Sequence, residues 1–152
     1  MSTEIKFEET VSYLLAKVST AFRNSIERHM ADIGLHGGQI FVLIELWKAD
    51  GLRQVDIAKR LDIAAPTVNK MIKGLMDMEY PLVTLEQADG DGRSTLVFLT
   101  EDGADIRTRV EAQWLELEDN SLAGLTETER MILLDLLSKL RNTYTGREAE
   151  PD

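Results

Sequence analysis

Residues 54–72 read Gln54-Val55-Asp56-Ile57-Ala58-Lys59-Arg60-Leu61-Asp62-Ile63-Ala64-Ala65-Pro66-Thr67-Val68-Asn69-Lys70-Met71-Ile72, and no other part of the chain is as tightly constrained. Apolar residues recur at helical spacing on both sides of Asp62–Ala65, which predicts two short helices over about 53–61 and 66–78. Helices that cross closely need a small side chain at the contact, and Ala58 is placed for it. The turn needs a residue that tolerates the left-handed conformation. Gly is usual there, but Asp62 is among the side chains that reach it. Ile57, Leu61, Ile63, Val68 and Ile72 would close the pair onto a core. Pro66 suits the first turn of the second helix, where a missing N–H costs nothing. These constraints agree on a helix-turn-helix.

The second helix carries the candidate chemistry. Ala65 is a poor N-cap, so the helix start leaves N–H groups that a phosphate could satisfy. Thr67, Asn69, Lys70 and Lys73 follow on the outward face, at the end that enters a major groove. Asn can bond adenine bidentately, and Lys can bond guanine or phosphate. The alternative is an ordinary solvated helix face. Charge distribution bears on the choice: the chain has a net charge of −10, yet residues 53–76 hold Arg53, Lys59, Arg60, Lys70 and Lys73 against Asp56 and Asp62. Residues 101–152 hold 13 Asp and Glu against 6 Lys and Arg. A basic island on an acidic chain suits a DNA reader whose remaining surface is kept off the duplex.

Outward from this unit, Leu82–Leu85 and Thr95–Leu99 flank a polar stretch containing Asp89-Gly90-Asp91-Gly92, which predicts a β-hairpin. Arg93 stands beside its tip, with Asp91 close enough to hold the guanidinium. In a wing, such an Arg can enter a minor groove. Upstream, Val11, Leu14, Leu15, Val18, Phe22, Ile26 and Met30 form one stripe of a long helix over 9–30. Gly34 and Gly37–Gly38 break it. A helix over about 39–49 is apolar nearly all round and belongs in the core; Asp50–Gly51 stops it. Downstream, a fifth helix is predicted over 100–121. A sixth starts at the capping box Thr126-Glu127-Thr128-Glu129 and carries Met131, Leu134, Leu137 and Tyr144 on one stripe. The fold class is thus mainly α with a small β-hairpin wing, in the order α-α-α-α-β-β-α-α, as one domain.

Composition excludes several functions. With 43% hydrophobic and 29% charged residues the chain is globular. No apolar run suits a bilayer, and Met1–Phe7 does not read as a signal peptide, so a cytoplasmic protein with no membrane partner is expected. Without cysteine there are no disulfides, zinc–thiolate sites or thiol sensors. His29 and His36 would need carboxylates such as Glu27 or Asp32 to hold a metal, and surface or pocket-lining roles fit them better. Trp47 and Trp114 read as core or interface aromatics, with the wall of a ligand pocket as the alternative. No nucleophile–base pair or carboxylate dyad stands out, so neither an enzyme nor a cofactor is expected.

The order of elements resembles the multiple-antibiotic-resistance regulator (MarR) family over nearly the whole chain. The residues that carry the likeness are Gln54, Ile57-Ala58, Leu61, Thr67-Val68, Leu75, Asp91-Gly92-Arg93 and Val97-Phe98-Leu99-Thr100-Glu101-Asp102-Gly103. The resemblance implies a homodimer. Residues 8–35 and 101–146 would form its helical dimerisation region, and residues 36–100 its winged helix-turn-helix lobe. Each lobe would read one half of a near-palindromic operator in double-stranded DNA, through Arg53, Pro66, Thr67, Asn69, Lys70, Lys73 and Arg93. It also implies repression relieved by a small effector, often an anionic aromatic molecule, bound between dimer region and lobe. Three features depart from the pattern. Tyr80-Pro81-Leu82-Val83-Thr84-Leu85 has no basic residue at the wing's start. The wing sets Glu79, Glu86, Asp89 and Asp91 against Arg93 alone. The lack of cysteine excludes the peroxide-sensing branch. The acidic wing motivates a competing reading, a winged-helix protein-interaction module that has given up tight DNA binding.

Overall fold

The computed structural model describes residues 4–88 and 95–145. After a 3-10 turn, Phe7–Glu9, the elements are α1 (Val11–Ala31), α2 (Gln39–Lys48), β1 (Leu52–Arg53), α3 (Gln54–Leu61), α4 (Ala65–Met76), β2 (Val83–Gln87), β3 (Thr95–Leu99), α5 (Glu101–Asp105), α6 (Arg107–Ser121) and α7 (Glu127–Thr145). The chain divides within α6 into two units, Met1–Leu115 and Glu116–Asp152.

In the first unit α2 is the central helix, as its all-round apolarity requires. Its Ile40, Val42, Leu43 and Leu46 are buried in one cluster with Ile57 and Ala58 of α3, Val68, Ile72 and Leu75 of α4, Val83 and Val97 of the sheet and Val110 of α6. Full burial of each large side chain contributes about 1.5–3 kcal/mol. Helix α1, capped by the Thr10 hydroxyl accepting the Tyr13 N–H, reaches this cluster only through Ile26 and Met30. The N-terminal part of its stripe, Val11, Leu14, Leu15 and Val18, is exposed.

The turn between α3 and α4 forms as the sequence predicts. Asp62 adopts φ 53° and ψ 41°, the left-handed conformation, and is the one non-glycine residue with positive φ among the described residues. Its N–H and that of Ile63 bond back to the end of α3. Buried Ala58 packs in the same core cluster as Val68 and Ile72 of α4, while Leu61 and Ile63 lie half-buried around it.

The predicted hairpin forms, β2 pairing antiparallel with β3. The structure adds a third strand to it, giving an antiparallel sheet in the order β1-β3-β2. Val97 sits opposite Leu85 on one side and Leu52 on the other. Asp50 steers the chain into β1, its carboxylate accepting the N–H groups of Gly51 and Leu99. The single helix expected over 100–121 is divided at Ile106 into α5 and α6. The Gly103 carbonyl, which an uninterrupted helix would offer to residue 107, accepts the Trp47 indole N–H at 2.9 Å.

The second unit contains the end of α6 and α7. Thr126 and Glu129 form the expected capping box, the Thr126 N–H donating to the Glu129 carboxylate and the Glu129 N–H to the Thr126 hydroxyl. Arg130 closes the helix-helix turn onto the Leu122 carbonyl and Asp119. The apolar stripe of α7, including Met131, Leu134, Leu137 and Tyr144, is exposed.

The left-handed turn gives a direct test. Asp62→Gly should keep or raise stability, whereas Asp62→Val should cost about 1–2 kcal/mol because a β-branched residue resists this conformation. Thermal unfolding of the two variants checks the sign of the difference.

Candidate nucleic-acid interface

Helix α4 presents one fully solvated face. Pro66, Asn69, Lys70 and Lys73 follow at spacings of three and four, with Thr67 beside them, and all are exposed. Val68, Ile72 and Leu75, on the opposite side, are buried and fix the helix's rotation about its axis. Its start offers less than the sequence suggests. The helix begins one residue early, at Ala65, with Ala64 at the cap and no side-chain cap. The amides of Thr67 and Val68 both donate to the Ala64 carbonyl, and Pro66 has no N–H. The first turn therefore presents the single amide of Ala65 to an anion, not a cluster of them.

The basic island is likewise smaller than its count. Arg53, in β1 and at the head of α3, donates to Asp56 at 2.8 and 3.3 Å. Arg60 lies 3.6 Å from the buried carboxylate of Glu45. Lys59, Lys70 and Lys73 have no ion-pair partner among the described residues. The hydrogen bond from Arg53, with the charges of Arg53, Lys59 and Arg60, holds the Asp56 carboxyl below the usual carboxylate range. Arg93 and Asp91, assigned to the wing tip and its support, lie outside the described residues. In the described part of the wing, Glu86 is exposed on β2, so the acidic character read from sequence is on the surface.

The base of the wing is clamped. The Thr100 hydroxyl donates to the Pro81 carbonyl at 2.6 Å and accepts the Gly103 N–H, capping α5, while its own N–H donates to the Leu82 carbonyl. A β-carbon at Gly103 would strike that same carbonyl.

A sequence profile described as the MarR family matches residues 35–95, the reading unit and most of the wing. The chain is also 31% identical over 119 residues to YdgJ, an HTH-type transcriptional regulator of Bacillus subtilis (strain 168), covering 76% of this chain and 70% of that one. The chain belongs to the MarR family. Solved structures agree on the fold. BpsR of Bordetella bronchiseptica, whose DNA binding is regulated by 6-hydroxynicotinic acid, superposes with a TM-score of 0.79 at 25% identity, over 91% of this chain and 99% of that one. A MarR family regulator of Listeria monocytogenes solved with a 26mer DNA has a TM-score of 0.78 at 21% identity, over 91% of each chain. As a MarR protein, this chain is a transcriptional regulator with a DNA-binding winged helix and not an enzyme.

Remaining candidate residues fall into place within this MarR fold. Trp47 and Trp114 both pack against the core, and both line a cleft of about 460 Å³ between α2 and α6 that also includes Ile44, Lys48, Arg107 and Glu111. Arg107 lies over the Trp47 ring and donates to Glu111. His29 faces the Ser25 carbonyl, and His36 is 3.9 Å from Glu27. No group of three or more potential metal ligands occurs among the described residues. None of the described helices is long and apolar enough to cross a membrane. Glu45 has no distinguishing signal in the sequence, where it is one acid in an apolar helix; only its burial marks it.

The Arg53–Asp56 pair has a pH signature. Asp56 has its folded-state pKa depressed, so its contribution is present above the ordinary carboxylate pKa and is lost as pH falls through the lowered folded value. NMR titration should place its midpoint below the ordinary range, and Arg53→Ala should return it there.

Proposed function

We propose that the protein is a cytoplasmic homodimer that holds a near-palindromic operator through α4 of each copy, represses from it, and releases it when a small molecule occupies the cleft between α2 and α6. The observation that carries this reading is the outward face of α4. Lys70 and Lys73 are exposed and unpaired there among the described residues, beside Asn69, Thr67 and Pro66. In this reading Asn69 reads a base edge and the lysines meet phosphate or guanine. Arg53 joins at the flank once a phosphate competes with Asp56, and Arg93 reaches from the wing, with Asp91 supporting it.

The domain division follows the same logic. Residues 36–100 would be the reading lobe, and 8–35 with 101–146 the dimerisation region. Supporting this, the apolar stripes of α1 and α7 are exposed in the single chain: Val11 by 73%, Leu134 by 69% and Tyr144 by 85%. Unpartnered apolar surface on this scale marks an interface. The cleft has the size of a small-molecule site, with two indoles to flank a planar ring, which suits an aromatic acid. BpsR, regulated by an aromatic acid, lends this analogy. A second reading, a protein-interaction module without tight DNA binding, is favoured by the exposed acid on the wing and the net charge of −10.

Alanine at Lys70, Lys73 and Arg93 should weaken binding to the DNA upstream of the protein's own gene. The salt dependence should become shallower by about one unit of slope for each phosphate that is no longer neutralised. Unchanged affinity in the triple variant removes these residues from the interface. If the unaltered protein shifts no such DNA at low salt yet captures a protein partner stably, the second reading holds. For the dimer, sedimentation at micromolar concentration should give twice the chain mass, and Leu134→Glu should shift it toward one.

A further inference from the structure

Glu45 is the charged residue buried among the described residues, its side chain 11% exposed. It stands on α2 between two cations that belong to different parts of the molecule. One carboxylate oxygen lies 3.3 Å from Nζ of Lys48, which lines the cleft. The other lies 3.6 Å from a guanidinium nitrogen of Arg60, on the first helix of the reading unit. A carboxylate held this far from water needs compensation, so what one cation gives up the other must supply.

We infer that Glu45 is a positioning residue that couples occupancy of the cleft to DNA binding, by sharing its carboxylate between Lys48 and Arg60. This rests on the reading of the cleft as the effector site and of the helix-turn-helix as the DNA reader. Of the cleft's two cations, Arg107 is held by both the Trp47 ring and Glu111, whereas Lys48 is 63% exposed and among the described residues has only Glu45 as a partner. An acidic group on a ligand therefore finds Lys48 more readily. Drawn to the ligand, Lys48 leaves Glu45 to Arg60 alone. Arg60, 40% exposed on a helix that crosses the DNA backbone in this motif, is then withdrawn from phosphate. Linkage requires the converse as well: DNA that engages Arg60 returns Glu45 to Lys48 and weakens the ligand.

Lys48→Met imitates the withdrawal of Lys48 and needs no ligand. It should weaken binding to the DNA upstream of the protein's own gene about fivefold. In an Arg60→Gln background it should have no further effect, and likewise with Glu45→Gln. In the free protein, Lys48→Met should shift the NMR signal of the Arg60 Nε–H. If Glu45→Gln does not fold, the Arg60→Gln background alone decides. Equal effects of Lys48→Met with and without Arg60, or an unmoved Arg60 signal, overturn the coupling. If the unaltered protein does not bind the DNA upstream of its own gene, the proposed operator reading fails by itself, and the Arg60 signal still decides whether the carboxylate is shared.

Discussion

At Gly103 the backbone of α5 lies so close to the Leu82 carbonyl that a β-carbon would collide with it, and much of the reading lobe is tied to this approach. The Leu82 carbonyl accepts the Thr100 N–H, the Thr100 hydroxyl caps α5 and reaches Pro81, and the Gly103 carbonyl accepts the Trp47 indole. Four segments converge there: the entry to β2, the exit from β3, the start of α5 and the central helix α2. The wing is thereby anchored at its base to the helix whose other residues line the cleft and support α3 and α4. The Leu99-Thr100-Glu101-Asp102-Gly103 pattern is the sequence trace of this clamp: a cap hydroxyl, a turn of helix, and a residue with no side chain.

Much of this is legible in the amino-acid sequence because the signals are local. Asp62 in the left-handed turn, the Thr126–Glu129 capping box and the burial of Val68 and Ile72 opposite Asn69, Lys70 and Lys73 each depend on neighbours a few residues away. The features that are not legible depend on distant partners. Two residues, Leu52 and Arg53, are too short to show alternation and become a strand only by pairing with β3. The break at Ile106 follows from an indole 56 residues upstream of Gly103. The role of Glu45 follows from burial, to which a single charge in an apolar helix gives no clue.

Electrostatics sharpen the picture of the interface. Formal charge counts overstate what the helix-turn-helix offers to a phosphate, because Arg53 and Arg60 already face carboxylates. The remaining attraction is concentrated on Lys59, Lys70 and Lys73, and the start of α4 adds one amide. A reader assembled this way depends on few cations. With few phosphates to neutralise, the salt dependence of its binding is shallow, and any change that frees or captures one guanidinium alters a large share of the attraction.

The acids of the wing acquire a second meaning from the strand order. With β3 in the middle, β2 is an open edge five residues long, whose backbone groups on one side have no strand to pair with among the described residues. Such an edge invites another chain to add itself as a further strand. Glu86, exposed on that strand, sets a charge where a stacking copy would have to place its own. A charge at this position opposes edge-to-edge pairing with a second copy. Lysine would serve the edge equally well, whereas valine would leave Val-Thr-Leu-Val-Gln as an uncharged template.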